Sequence, residues 1–335
     1  MKKIPPISFV VLLSLLTSFA PATLSAASSP DELARDLKRI ARSAGGTVGV
    51  RAVHLGTGEA VSVDGAVRFP MASVFKLPIA VLTLHRVDIG KESLERLIKI
   101  RASDLRLGVE EEPELAGQSL SVRELLERML LDSDNTSCDV LLREEGGPKA
   151  VEAYLGEIGV PGIDVSWSEL DMASVEAGFT VPPESERSLA TLRKAARSVS
   201  VKKRRESERR FEKDTRNTAT PEAAALLLRR VSKGEALKGD TNALLLDMLR
   251  RCRTGAHRIR ALLPAGTEVF NKTGTTGRTT NDIGLVTLPN GAGQVAVAVF
   301  VKGSPVSVAR REKVIAQIAR AVYDYYSEVP SPIGR

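Results

Sequence analysis

Apolar positions change their spacing twice along this chain. From Asp31 to Ser43 they recur every three or four residues, the period of a helix with one face against a core. Two short alternating runs follow, Thr47 to Leu55 and Glu59 to Val63, with Gly56 and Gly58 between them, which predicts a helix leading into a hairpin. From Pro70 to about Arg251 the helical period dominates, clearest in Val74 to Val87, Val122 to Leu131, Ala150 to Ile158 and Ala223 to Val231. The period then falls to two. Glu268 to Asn271, Asp282 to Leu288 and Gln294 to Lys302 read as strands, the last two joined through Pro289-Asn290-Gly291, and Val306 to Tyr326 reads as a closing amphipathic helix. Because strand patterns sit at both ends of the chain, the simplest packing is a two-domain α/β (α+β) fold. Segments 28–68 and 255–335 share one antiparallel sheet flanked by helices, and residues 69–254 form an all-helical domain beside it. A cleft between the two is where a site is expected.

Composition adds compartment and charge to this picture. A chain of 335 residues that is 43% hydrophobic can bury one large core or two modest ones. Residues 1–27 read as a signal peptide: Met1-Lys2-Lys3, an apolar run from Ile7 to Ala20, then Ser25-Ala26-Ala27, with cleavage near Ala27. The run is short for a membrane span and contains Ser14, Thr17 and Ser18, so the mature protein is expected to be exported, periplasmic or secreted. Two cysteines, Cys138 and Cys252, do not make a disulfide scaffold, and both lie in apolar helical patterns that predict buried, unpaired thiols. The net charge of +7 is unevenly placed: between Arg187 and Arg216 twelve Lys or Arg face four acids, a surplus of eight, which leaves the rest of the chain near −1.

Three short motifs carry candidate chemistry. Ser73-Val74-Phe75-Lys76 opens the helix expected after Pro70, where a three-residue spacing puts hydroxyl and amine on one face. A desolvated lysine there can take the serine proton, and the helix N-terminus favours developing negative charge. Alone the pattern is weak, since a chain this long holds about one by chance; Ser200-Val201-Lys202-Lys203 is such a match in unsuitable surroundings. Ser133-Asp134-Asn135 follows the helix that ends near Leu131, and Lys272-Thr273-Gly274 ends the strand that begins at Glu268. Singly, Ser133 and Asn135 could cap and turn a helix, and Lys272 could be an ordinary strand-edge lysine.

In order, spacing and context, the three motifs together resemble the class A serine β-lactamase family. The resemblance spans the mature chain and includes Gly146-Gly147-Pro148, Thr254-Gly255-x-x-Arg258-Ile259 and Asn281-Asp282-Ile283-Gly284. It implies a β-lactamase/penicillin-binding-protein-like fold and β-lactam hydrolysis without metal or organic cofactor. Ser73 would attack the lactam carbonyl, with the N–H groups of Ser73 and Thr275 holding the oxyanion and Lys76 managing the proton. Ser133 would protonate the departing nitrogen, and Asn135 would bind the substrate's amide side chain. Lys272, Thr273, Gly274 and Thr275 would receive the substrate carboxylate, assisted by Arg258. Many relatives carry an arginine where this chain has Asn281, and others use a Thr-Gly-x-x-Arg arginine such as Arg258. Glu169 matches the loop glutamate that activates water against the acyl-enzyme. Penicillin-binding D-alanyl-D-alanine peptidases share the motifs, and a slowly deacylating β-lactam sensor is a third reading; Glu169 argues against the peptidase. The partner implied is a small-molecule β-lactam, and a monomer is the default.

Several positions depart from the family pattern. The common loop reads Arg-x-Glu-x-x-Leu-Asn, whereas this chain reads Trp167-Ser168-Glu169-Leu170-Asp171-Met172-Ala173, similar to a branch with Glu-x-x-Met. Ala173 cannot hydrogen-bond a hydrolytic water. The loop region, 165–217, is enlarged by a basic insertion, 174–216. Leu189, Leu192, Ala196 and Val199 predict one amphipathic helix there, followed by a charged run from Lys202 to Arg210. That run reads either as a solvated excursion or as a contact with an acidic envelope polymer or membrane surface. With Phe211 its one nearby aromatic, stacking on nucleic acid is not expected. Pro78, past the first turn of the expected helix, should bend its axis or tighten a turn. Gly108 stands where many relatives place an aromatic wall, which leaves that rim open.

Overall fold

The computed structural model describes residues 29–108 and 111–328, so the expected leader at 1–27 lies outside the described residues. Ser29 caps the first helix, α1 (Pro30–Ala41), by accepting from the Glu32 N–H, and Pro30 sits in the first turn where a missing donor costs nothing. The hairpin β1 (Thr47–His54) and β2 (Ala60–Val63) follows, and then a two-residue strand, β3 (Phe69–Pro70). In α2 (Lys76–Asp88) every residue from Lys76 to Leu84 is buried, so this helix is the axis around which the helical domain packs.

Around it lie the ribbon of β4 (Leu97–Lys99) with β5 (Ser119–Ser121), then α3 (Val122–Leu131), α4 (Asn135–Glu144) and α5 (Pro148–Glu157). Ser121 and Glu124 close a capping box on α3, and Asp134 caps α4. Three helices fill the enlarged loop: α6 (Glu169–Ala177), α7 (Leu189–Arg197) and α8 (Val201–Phe211). The chain returns through β6 (Thr218–Ala219), which pairs with β3, and through α9 (Pro221–Ser232) and α10 (Gly239–Arg250). It ends with β7 (Val269–Thr276), β8 (Thr279–Thr287), β9 (Gln294–Lys302) and α11 (Val308–Ser327).

The main sheet is antiparallel throughout, in the order β2-β1-β9-β8-β7, so the two ends of the chain share it. Its central strand serves two cores at once. Val295, Val297, Val299 and Val301 pack with Leu33, Leu37, Ile315 and Tyr326 of the terminal helices. Ala296, Ala298 and Phe300 face the helical domain and join Phe75, Ile79 and Leu228. Each fully buried valine or phenylalanine contributes roughly 1.5–3 kcal/mol. Alternation therefore survives in β9 as a division between two apolar interiors, where a one-sided sheet would show apolar against polar.

Four expectations need correction. Residues Ala72–Phe75 form a 3-10 turn, and the α-helix starts only at Lys76. Pro78 is therefore its third residue, where the backbone donor has no intrahelical partner, and the expected conflict disappears. β7 runs on through Lys272-Thr273-Gly274 to Thr276, because Thr275 and Thr276 pair with Thr280 and Thr279 of β8. Finally, the charged run is helical. Its inner face, Ser207 and Phe211, is buried, and packing supplies what its sequence pattern lacks. Among the described residues no helix is long and apolar enough to cross a membrane.

Candidate active site

The site forms at the seam where α2 and the loop after α3 meet β7. A cleft of about 610 Å³ opens there, lined by Ser73, Ser133, Asn135, Arg258, Thr273 and Thr275. Two residues in its wall hold left-handed backbone despite carrying side chains: Ala72, at φ 46°, and Ser133, at φ 63°. Each such conformation costs on the order of 1–3 kcal/mol and persists only where neighbours over-determine it. Ala72 turns the chain so that Ser73 enters the cleft. Gly274 lets β7 pass against that turn, since a Cβ there would lie 2.4 Å from the Met71 carbonyl oxygen. Asn281, buried on β8, donates to the Pro70 and Met71 carbonyls at 2.9 and 3.0 Å and fastens the same turn from below.

Lys76 and Glu169 lie under the cleft floor. The Lys76 ammonium has three protons and three close acceptors: the Ser133 carbonyl at 2.6 Å, Asn135 Oδ1 at 2.7 Å and Glu169 Oε1 at 2.8 Å. Ser73 Oγ donates to Glu169 Oε1 at 3.4 Å. Among the described residues no hydrogen bond joins Ser73 directly to Lys76, so Glu169 is the carboxylate in contact with the serine and Lys76 links it to Ser133. Asn135 is oriented at both ends, accepting from Lys76 and donating to the Leu107 carbonyl at 2.9 Å, with its second amide proton left free.

On the opposite wall Lys272 Nζ donates to Ser133 Oγ at 2.9 Å. Burial, and then repulsion from Lys76, depress its pKa to about 8. Thr273 Oγ1 lies 2.6 Å from Thr254 Oγ1, and Arg258 donates to Thr275 Oγ1 at 2.5 Å and to the Asn281 carbonyl at 2.8 Å. Arg258 is buried and paired with Glu312 of α11 at 3.1 Å, which rules out the solvated-helix reading of that residue. Beneath this corner Asp282 is fully buried, and burial raises its pKa to about 6 against the pull of Arg258. All ten residues singled out from the sequence thus converge on one cleft or its floor.

Sequence reasoning missed the supports. Asp139 receives the Glu169 and Leu170 N–H groups at 2.7 and 3.1 Å, which caps α6 at the residue that matters, and pairs with Arg106. Its position four residues after Asn135 on α4 was the available signal. Asn217, at φ 49°, clasps the two ends of the loop by accepting from the Ser166 and Trp167 N–H groups, both at 2.7 Å. Glu176 reaches the Thr276 hydroxyl, which ties the end of α6 to the tip of β7. Beside Glu169 lies a cavity of about 20 Å³ lined by Asn135, Glu169, Ala173 and Phe179 among others. One water needs about 10–15 Å³, so the small side chain of Ala173 supplies space where it supplies no hydrogen bond. Gly108 stands on the exposed cleft rim, as its sequence position suggested.

An activated serine between a sheet domain and a helical domain, with cations and hydroxyls facing it, defines the class of protein as a serine hydrolase. The profile of the β-lactamase enzyme family matches residues 32–326, and the chain belongs to that family as a class A serine β-lactamase. The extended-spectrum β-lactamase PER-1 of Pseudomonas aeruginosa is 30% identical over 93% of this chain and 92% of its own. A crystal structure of a β-lactamase from Chitinophaga pinensis superposes with a TM-score of 0.72 at 33% identity, over 87% of this chain and 98% of that one. A reconstructed class A enzyme, the last common ancestor of Gram-negative bacteria, gives a TM-score of 0.71 at 33% identity, over 87% and 97%. Among the readings left open by the motifs, these relatives favour the lactamase.

Proposed function

We propose that hydrolysis proceeds in two steps on Ser73, with Glu169 as the base of both. The observation that carries this reading is the single carboxylate oxygen shared by Ser73 Oγ, at 3.4 Å, and Lys76 Nζ, at 2.8 Å. In the first step Ser73 gives its proton to Glu169 and attacks the lactam carbonyl. The oxyanion is received by the Ser73 and Thr275 N–H groups, which the Ala72 turn and the Gly274 contact bring to one wall. The departing nitrogen takes a proton from Ser133, which regains one from Glu169 through Lys76, so the carboxylate is free again for the second step. The substrate carboxylate is held by Thr273, Thr275 and the charge of Lys272, with Arg258 fixing Thr275 from behind. Asn135 offers its free amide proton to the acylamino side chain.

In the second step Glu169 takes a proton from water, which attacks the acyl-enzyme, and returns that proton to Ser73 Oγ as the ester bond breaks. Asn135 and Glu169, which line the small cavity, place that water in this chain, with Ala173 leaving it room. We read the mature enzyme as an exported monomer with its basic insertion turned toward an acidic envelope surface.

Mixing Glu169→Gln with a chromogenic cephalosporin tests the assignment. General-base catalysis is worth about 10²–10⁴-fold, so turnover should fall by at least about a hundredfold and mass spectrometry should find Ser73 acylated correspondingly more slowly. Parental turnover in that variant would reject Glu169 as the base.

A further inference from the structure

We propose that the outward face of α8 is a docking surface for an anionic phospholipid bilayer. This deepens the envelope reading above by naming the residues and the surface. Lys202, Lys203, Arg205, Arg209 and Arg210 are all exposed, and Lys202, Arg205 and Arg209 recur at helical spacing along one arc. Among the described residues no carboxylate lies within ion-pair distance of Lys202, Lys203, Arg205 or Arg209. The two acids of the helix, Glu206 and Glu208, are half-buried. Elsewhere in the molecule exposed arginines pair routinely, as Arg96 does with Glu92 and Glu144, or Arg251 with Asp247 and Glu127. The contrast marks Lys202, Lys203, Arg205 and Arg209 as exposed charges without a carboxylate partner among the described residues.

The opposite side of the helix is clamped, so the cations are presented on a fixed support. Phe211 stacks on Trp167 with ring centroids 6.1 Å apart, and Ser207 packs so closely on Gly178 that a Cβ there would lie 2.4 Å from its hydroxyl oxygen. A membrane fits this face better than other polyanions. The one aromatic of the helix, Phe211, is turned inward, which removes base stacking. Val201, 68% exposed at the start of the helix, adds an apolar contact at the rim. Basic side chains at an anionic leaflet gain about fivefold in affinity each.

The test is co-sedimentation of the purified protein with vesicles of phosphatidylcholine, with and without phosphatidylglycerol. The parent should sediment only with the phosphatidylglycerol vesicles and be released by salt near ~1 M. The triple variant Lys202→Gln, Arg205→Gln, Arg209→Gln should partition about a hundredfold more weakly. Its cephalosporin hydrolysis in solution should match the parent, because none of the three touches the catalytic machinery. Equal partitioning of parent and variant, or no preference for phosphatidylglycerol, would overturn the proposal. Displacement of the bound protein by duplex DNA at matched charge would assign the face to nucleic acid instead. Hydrolysis measured in the same samples reads the catalytic assignment separately, so failure of one leaves the other standing.

Discussion

Lys76 and Glu169 under the cleft floor and Lys272 in the opposite wall are each held by protein atoms in place of bulk water. For Lys272 that desolvation sets a pH dependence. With its pKa near 8, Lys272 is an ammonium at neutral pH and loses its proton through mild alkali. In the proposed role of Lys272, carboxylate binding is complete below that pKa and fades above it. The pH profile of kcat/KM should therefore bend downward near pH 8, through a rise in KM, because kcat/KM reports the free enzyme. A profile flat to about pH 10, the range of an unperturbed lysine, would contradict the depressed value. Arg258 acts one layer back, through Thr275 and the Asn281 carbonyl. Hydrogen bonds to a charged group contribute about 1.5–3 kcal/mol, so Arg258→Ala should lower kcat/KM about 10- to 100-fold with kcat less affected. Steady-state kinetics beside a thermal melt would separate this from loss of fold. The ten site residues were legible because each belongs to a short motif. Asp139 and Asn217 were not, since an aspartate inside a helix and an asparagine after a loop are common, and only their partners distinguish them.

At the scale of elements, the enlarged loop is a small folded unit. Leu170, Phe179 and Leu192 form a core of their own between α6 and α7, with Ala173, Ala177 and Val199 against it. α8 adds a second layer behind α6. The amphipathic helix over Leu189 to Val199 was visible from its apolar spacing. The helix in the charged run was not, because its stability comes from two buried residues and from Gly178 giving way to it. This unit carries Glu169 at one end, so in the proposed role of that carboxylate its stiffness bears on catalysis. Leu192→Ala removes a fully buried side chain and should cost about 2–5 kcal/mol of local stability. The expected signature is earlier proteolysis of segment 174–216, together with a larger steady-state fraction of acyl-enzyme seen by mass spectrometry. An unchanged acyl fraction would separate the loop core from water activation.

For the whole molecule, the decisive object is the sheet that the two chain ends build together. β9 serves two cores, and β8 carries Asp282 into the seam, where Asn271 and the Ile259 N–H contact it at 2.9 and 3.2 Å. Burial holds the Asp282 pKa near 6, above its ordinary 3.8, so the folded state binds this proton more tightly than the unfolded chain. Stability from this group is therefore full below about pH 4, falls as pH rises toward 6, and stays lower beyond. The loss is on the order of 3 kcal/mol. Asp282→Asn should flatten that slope in urea titrations run across the window, whatever its effect on absolute stability. A parental slope in the variant would place the titrating group elsewhere.

Periodicity and motif spacing within single segments determined most of the element types and the short motifs that hold the ten candidate residues. Those properties depend on neighbours a few positions apart, where backbone geometry leaves few choices. The tertiary structure alone decided that Lys272 meets Ser133, 139 residues earlier, that Glu169 sits on both Ser73 and Lys76, and that a charged segment becomes a helix. Each of these is set by how two apolar cores pack against one shared sheet, and the free energy of that packing is a property of the whole chain.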